Sequence, residues 1–102
     1  MPEIELRITT YDEVIRLFPG VRDTELIFTP STELYLVRDS ATQEAVGICG
    51  FRWWKRSVTF KTAYIAPKWR GQGYYSAAID KRIEMARLRG MTYMDGHVTR
   101  MS

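Results

Sequence analysis

The stretch from Tyr64 to Ser76 (Tyr-Ile-Ala-Pro-Lys-Trp-Arg-Gly-Gln-Gly-Tyr-Tyr-Ser) constrains the fold more than any other part of the chain. It reads as a strand end, a glycine loop and the first turn of a helix. Val58 to Ile65 is rich in β-branched and aromatic residues, which suit a pleated strand. Pro67 has no N–H for a ladder and stops the strand. Gly71 and Gly73 permit backbone angles that a β-carbon forbids. From Tyr74 the pattern turns helical, and Tyr75, Ile79, Ile83 and Ala86 fall on one face. Gly90 is the expected stop, with Arg87 and Arg89 in the last turn.

The start of this helix has a chemical consequence. Gly73 to Ser76 contains no acid, and the first carboxylate is Asp80 in the second turn. The free N–H groups and the positive dipole end are left uncompensated, and such an end attracts phosphate. Lys68 and Arg70 stand just before it and add charge. A Gly-x-Gly alone reads more simply as a chain reversal. The order of strand, Pro, Arg-Gly-x-Gly and helix favours phosphate binding.

These residues carry a resemblance. Ile65-Ala66-Pro67 followed by Arg70-Gly71-Gln72-Gly73 resembles the acyl-CoA loop of the GNAT family of N-acetyltransferases, whose signature is Gln/Arg-x-x-Gly-x-Gly/Ala. Arg70 fills the first position and Gly73 the fourth, while Tyr75 stands where Gly or Ala is usual. The likeness is strongest from Gly47 to Val98. It implies acetyl-CoA as co-substrate. Backbone groups of Tyr64 and Ile65 would pair with the pantetheine amides. The amides of Gln72, Gly73, Tyr74, Tyr75 and Ser76, with Gly71 in the loop and Arg70 beside it, would hold the pyrophosphate.

The chain has 102 residues, 45% of them apolar and 13% aromatic, which suits one globular domain over residues 1–102. No apolar run approaches the length of a membrane span. Met1 to Leu6 alternates polar and apolar, unlike a secretory leader. The single Cys49 excludes an internal disulfide and a cysteine zinc set, so no metal is expected and a reducing cytoplasm is. The net charge of +3 is unevenly placed. Between Ala45 and Ile79 there is no Asp, Glu or His, against Arg52, Lys55, Arg56, Lys61, Lys68 and Arg70. A basic middle implies a polyanionic partner, met by CoA or by nucleic acid.

In order, Ile4 to Thr9 alternates as a half-buried strand. Thr10-Tyr11-Asp12-Glu13 is a capping-box pattern before a short helix that ends at Pro19-Gly20. Val21 to Ser31 reads equally as a helical turn or a packed loop. Strands follow at Glu33–Val37, Glu44–Trp54 and Val58–Ile65, then the helix, then a fifth strand from Met91 to Thr99. The expected fold is α/β: a GNAT-like mixed, mostly antiparallel sheet flanked by helices. Its last two strands are parallel and splayed to admit a ligand. The family usually continues with a further helix and two strands, whereas this sequence stops at Ser102.

The implied activity is acetyl-CoA-dependent N-acetyl transfer to a small-molecule or protein amine, by direct transfer in a ternary complex. Deprotonating the amine calls for a base, and no carboxylate lies between Glu44 and Asp80. Glu33 is the nearest candidate in topology, although a solvated strand end explains it equally. Tyr64, Tyr74 and Tyr75 are candidate proton donors to the departing thiolate, with packing as their simpler role. Asp95 and His97 share one face of the fifth strand. Cys49 reads as a small core residue.

Two other classes stay open. One is a catalytically silent acyl-CoA-binding or regulatory module. The other is a nucleic-acid-binding or nucleic-acid-modifying protein that uses the basic aromatic hairpin Phe51–Arg56. Strand alternation offers a plainer account of that hairpin, with Phe51 and Trp53 inward and Arg52 and Trp54 on the other face. An unprotected fifth-strand edge from Tyr93 to Thr99 implies a homodimer.

Overall fold

The computed structural model describes residues 2–24, 26 and 28–96, with the side chains of 95 and 96 outside that set. Strand β1 (Ile4–Thr9) leads to helix α1 (Tyr11–Leu17) and a 3-10 turn (Pro19–Asp23). Strands β2 (Glu33–Asp39), β3 (Ala45–Trp53) and β4 (Ser57–Ile65) follow. A second 3-10 turn (Pro67–Trp69), helix α2 (Tyr74–Leu88) and strand β5 (Tyr93–Gly96) complete the order. His97 and the remainder of the expected fifth strand lie outside the described residues.

The sheet runs β1-β2-β3-β4-β5. The first three joins are antiparallel and β4–β5 is parallel, as the α2 crossover requires. Helix α1 starts where Thr10 Oγ1 accepts from the Glu13 N–H at 3.3 Å. The Glu13 carboxylate accepts instead from Thr9 Oγ1 and Arg16.

Each face of the sheet has its own core. Val14, Phe18 and Val21 pack on Leu34, Leu36, Ile48 and Tyr64. On the opposite face Ala77, Ala78 and Ala86 of α2 pack with Ile4, Tyr35, Val37, Cys49, Phe51, Val58 and Ile65. The helix presents a different stripe from the expected one. Tyr74, Ala77, Ala78, Arg82 and Ala86 are buried, while Tyr75, Ile79 and Ile83 are half-buried. The alanines let α2 sit close to the sheet. Arg82 enters the stripe because its guanidinium lies 4.8 Å over the Phe60 ring.

A β-bulge interrupts β4. Ile48 pairs with Tyr64 and Gly50 with Lys61, so Thr62 and Ala63 stand opposite Cys49. Thr62 takes a φ of 35°, rare for a β-branched residue. The extra residue reverses the alternation: Phe60 packs with α2, whereas Tyr64 packs with α1. The close crossing needs Gly50, whose β-carbon would stand 2.5 Å from Thr62 Oγ1 and 2.7 Å from Thr32 Cγ2.

Candidate acyl-CoA site

At the far end of β4 the ladder register turns one backbone pair outward. The Ala66 N–H donates to the Val46 carbonyl at 2.9 Å, which makes that the bonded pair of the ladder. Antiparallel pairs alternate, so the neighbouring Gly47–Ile65 pair is the non-bonded one. The N–H and C=O of Ile65 therefore face away from β3, on the side where β5 lies. The described β4–β5 pairing runs from Ser57–Tyr93 to Phe60–Gly96, short of Ile65.

The loop beyond is built to expose amides. Gly71 has a φ of 78° and Gly73 one of 90°. Gly73 is the N-cap of α2 in the left-handed region, so no side chain caps the helix, and its first turn holds no acid. The first intrahelical bond is Ala77 N–H to Gly73 O at 3.0 Å, which leaves the N–H groups of Tyr74, Tyr75 and Ser76 without helix carbonyls. A cavity of about 240 Å³ opens here, lined by Ile65, Trp69, Arg70, Gly71, Gly73, Tyr74, Tyr75 and Ser76. A β-carbon on Gly71 would meet open space. One on Gly73 would meet Pro2 Cδ at 3.1 Å, so Pro2 and the backbone angle, rather than the ligand space, restrict that position.

Arg70 braces this opening. Its Nε donates to the Ile65 carbonyl at 2.8 Å and its guanidinium lies 5.4 Å from the Tyr64 ring. That uses the Ile65 carbonyl and leaves the Ile65 N–H for a ligand. Gln72 braces the loop through its side-chain amide, which donates to the Lys68 carbonyl at 3.2 Å.

The candidate tyrosines separate. Tyr64 is 5% exposed and packs edge-on against Phe18 under α1. Its backbone is in the bonded register with Ile48 and faces β3, so the expected backbone contact of Tyr64 with a ligand is not available and that of Ile65 is. Tyr74 donates its hydroxyl to Asp39 Oδ2 at 2.6 Å. That bond raises the Tyr74 pKa and is the first cause lowering that of Asp39. Tyr75 packs its ring against the α2-side core, which reconciles a bulky residue with an open loop. Its hydroxyl is buried with no partner among the described residues.

Glu33 sits at the other end of α2, a helix about 22 Å long by its rise per residue. Its carboxylate accepts from Trp53 Nε1 at 3.1 Å, from Arg89 at 3.4 Å and from the Tyr35 hydroxyl. Arg89 also stacks 4.0 Å over Trp53. Burial, then the bond to Glu33, pushes the Tyr35 hydroxyl up to about 12. This is a closed polar cluster, and the structure does not bring Glu33 to the loop. Cys49 is fully buried, and burial pushes its thiol up to about 11. The side chain of Asp95, like His97, lies outside the described residues.

Sequence reasoning missed Asp39 and Trp69. Asp39 accepts from the Ala41 and Thr42 N–H groups at 2.9 and 3.0 Å, closing the β2–β3 turn, and also from Tyr74. The polar run after Asp39 signalled the turn but not the distant partner. Trp69 meets Tyr74 edge-on at 5.7 Å and walls the cavity.

No protein-family model and no curated protein matches the sequence. Solved structures do match. The chain is similar to ribosomal-protein-alanine N-acetyltransferase from Brucella melitensis biovar Abortus 2308, at 16% identity and TM-score 0.71, over 96% of this chain and 82% of that one. It is similar to a GNAT family acetyltransferase from Elizabethkingia anophelis with acetyl-CoA bound, at 20% identity and TM-score 0.67, over 98% and 68%. It is also similar to an aminoglycoside acetyltransferase from an uncultured soil metagenomic sample in complex with sisomicin, at 11% identity and TM-score 0.69, over 95% and 78%. At these identities the likeness is one of fold.

Proposed function

Because the chain has the fold of the GNAT acetyltransferases, we propose that it is an acetyl-CoA-dependent N-acetyltransferase. The observation that carries this reading is the uncapped, acid-free start of α2. It faces a cavity walled by the outward backbone of Ile65. The pyrophosphate sits on the amides of Gln72 to Ser76, and the pantetheine runs back along β4 toward the bulge. The Ile65 N–H meets an amide of that arm. Arg70 fixes the strand end and adds positive charge.

The reaction is direct transfer. The acceptor nitrogen attacks the thioester carbonyl, the carbon–sulfur bond breaks and CoA leaves as the thiolate. The acceptor's proton passes to solvent, since no carboxylate lies on the chain between Glu44 and Asp80. The thiolate takes its proton from solvent, since Tyr64 is buried under α1, the Tyr74 hydroxyl is held by Asp39 and the Tyr75 hydroxyl is buried in the α2-side core.

The protein is assigned to the cytoplasm, in keeping with a buried free thiol at Cys49. Among the described residues no helix is long and apolar enough to cross a membrane. It is assigned as a homodimer through the β5 edge, where Tyr93 is 64% exposed. Sedimentation equilibrium tests that assembly: a monomer at micromolar concentration contradicts it.

Calorimetry with acetyl-CoA, CoA and a short DNA duplex tests the reading. Both CoA species bind and the duplex does not. Duplex binding with no heat from acetyl-CoA contradicts it. Acetyl-CoA binding without thiol release in the presence of amines leaves a silent acyl-CoA module.

A further inference from the structure

The geometry points to an acidic peptide as the acceptor, docked on the β3–β4 hairpin. This inference rests on the acetyltransferase reading above. The pairs Phe51–Phe60 and Trp53–Val58 face α2. Alternation puts Gly50–Lys61 and Arg52–Thr59 on the opposite face of the sheet. Trp54 follows them there: the Arg52 guanidinium lies 4.2 Å over its ring, and its Nε1 donates to Thr59 Oγ1 at 3.1 Å. Among the described residues, helix α1 covers this face over Leu34, Leu36, Ile48 and Tyr64, and Thr32 lies over Gly50. Beyond it, Arg52, Thr59 and Lys61 form a strip, with Trp54, Lys55 and Arg56 exposed at the hairpin tip.

None of Arg52, Lys55, Arg56 and Lys61 has an ion-pair partner among the described residues. Cations with no internal counter-charge create a positive potential that draws an anionic partner. The strip also leads to the transfer site. Lys61 is followed at once by the bulge residue Thr62, whose hydroxyl is buried without a described partner. A chain lying along the strip delivers its amine to the point on β4 that the pantetheine arm approaches.

The same geometry favours a peptide over nucleic acid. Binding a single strand uses successive aromatic platforms. Phe51 is fully buried and Trp53 faces α2, which leaves Trp54 as the exposed ring of the hairpin, already stacked by Arg52. The spaced charges of an extended acidic peptide suit this row of cations better. A polycationic amine is repelled.

The test uses peptides of equal length, each an alanine followed only by glutamates, serines or arginines. The α-amine is then the single acceptor. Binding is read by fluorescence anisotropy and transfer by thiol release. The glutamate peptide is expected to bind and to react at least about tenfold better than the serine peptide, with the arginine peptide worst. Added salt should erode the preference. Lys61→Glu, and separately Lys55→Glu with Arg56→Glu at the exposed tip, should cancel or invert it while acetyl-CoA affinity holds. Equal binding of all three peptides, or a preference that survives charge reversal, overturns the proposal. So does an oligonucleotide that binds the strip while the glutamate peptide does not. Acetyl-CoA calorimetry on the same samples separates this failure from failure of the acetyltransferase reading.

Discussion

The Tyr74 hydroxyl stands 2.6 Å from Asp39 Oδ2, 35 positions away in the chain. Tyr74 is the first residue of α2, and Asp39 ends β2. The bond therefore ties the anion-attracting end of the helix to the sheet. The Asp39 carboxyl is held below its ordinary value of 3.8, chiefly by this bond. A depressed carboxylate stabilises the fold above its unfolded pKa, and that stabilisation is lost as pH falls through the folded value. The thermal-midpoint gap between the parent and Tyr74→Phe should hold near neutrality and close below about pH 4. A gap unchanged down to pH 2 would show that Asp39 is not the partner that matters.

Gly73→Val should weaken acetyl-CoA strongly. At a φ of 90° a β-branched residue is strained by roughly 1–3 kcal/mol, and its β-carbon presses on Pro2. Gly73→Asn, better suited to left-handed backbone, should recover much of the affinity. Calorimetry on the pair checks this, and equal losses for Asn and Val would remove backbone angle from the account.

Arg70→Ala should cost acetyl-CoA on the order of 1.5–3 kcal/mol of binding, through the lost charge and the lost brace on Ile65. Pantetheine fragments without the pyrophosphate should lose much less. An equal loss for both ligands would take the pyrophosphate out of the argument.

Much of the backbone around the candidate site was legible in the sequence, for physical reasons. Pro67, Gly71 and Gly73 act on their own backbone, so the strand stop, loop and helix start can be read locally. The parallel β4–β5 pair follows from a single crossover helix. The bulge at Thr62 was not legible, because Val58 to Ile65 looks like one uninterrupted strand. What breaks it is the close approach of Gly50, a residue of another strand. The buried stripe of α2 was misjudged because hydrophobicity marks Ile79 and Ile83 as core and Arg82 as surface. The sheet instead takes the alanines, and the Phe60 ring accepts the guanidinium. Asp39 was invisible as a support of the loop, since nothing local links it to Tyr74.

The bulge gives a coupling prediction. Gly50→Ala should destabilise by about 1–3 kcal/mol, because its new carbon meets Thr62 Oγ1 and Thr32 Cγ2. Adding Thr62→Gly removes one clash and relieves a φ of 35°, so the double variant should be more stable than Gly50→Ala alone. Strict additivity in urea unfolding would mean that the two positions do not touch.

Tyr75→Phe separates chemistry from packing. Its hydroxyl is buried without a described partner, so its removal should leave the thermal midpoint unchanged or raised. The rate of thiol release should also hold, because a hydroxyl sealed in the core does not reach the leaving thiolate. A fall in kcat with the thermal midpoint unchanged would contradict this placement.

The central claim is that the bare amides at the start of α2 receive the pyrophosphate while Ile65 meets the pantetheine. Backbone amide shifts recorded by heteronuclear NMR during an acetyl-CoA titration test it most directly. The largest shifts should fall on Ile65 and on Gly71, Gln72, Gly73, Tyr74, Tyr75 and Ser76. Saturable shifts confined to other parts of the chain, with these amides unmoved, would contradict it.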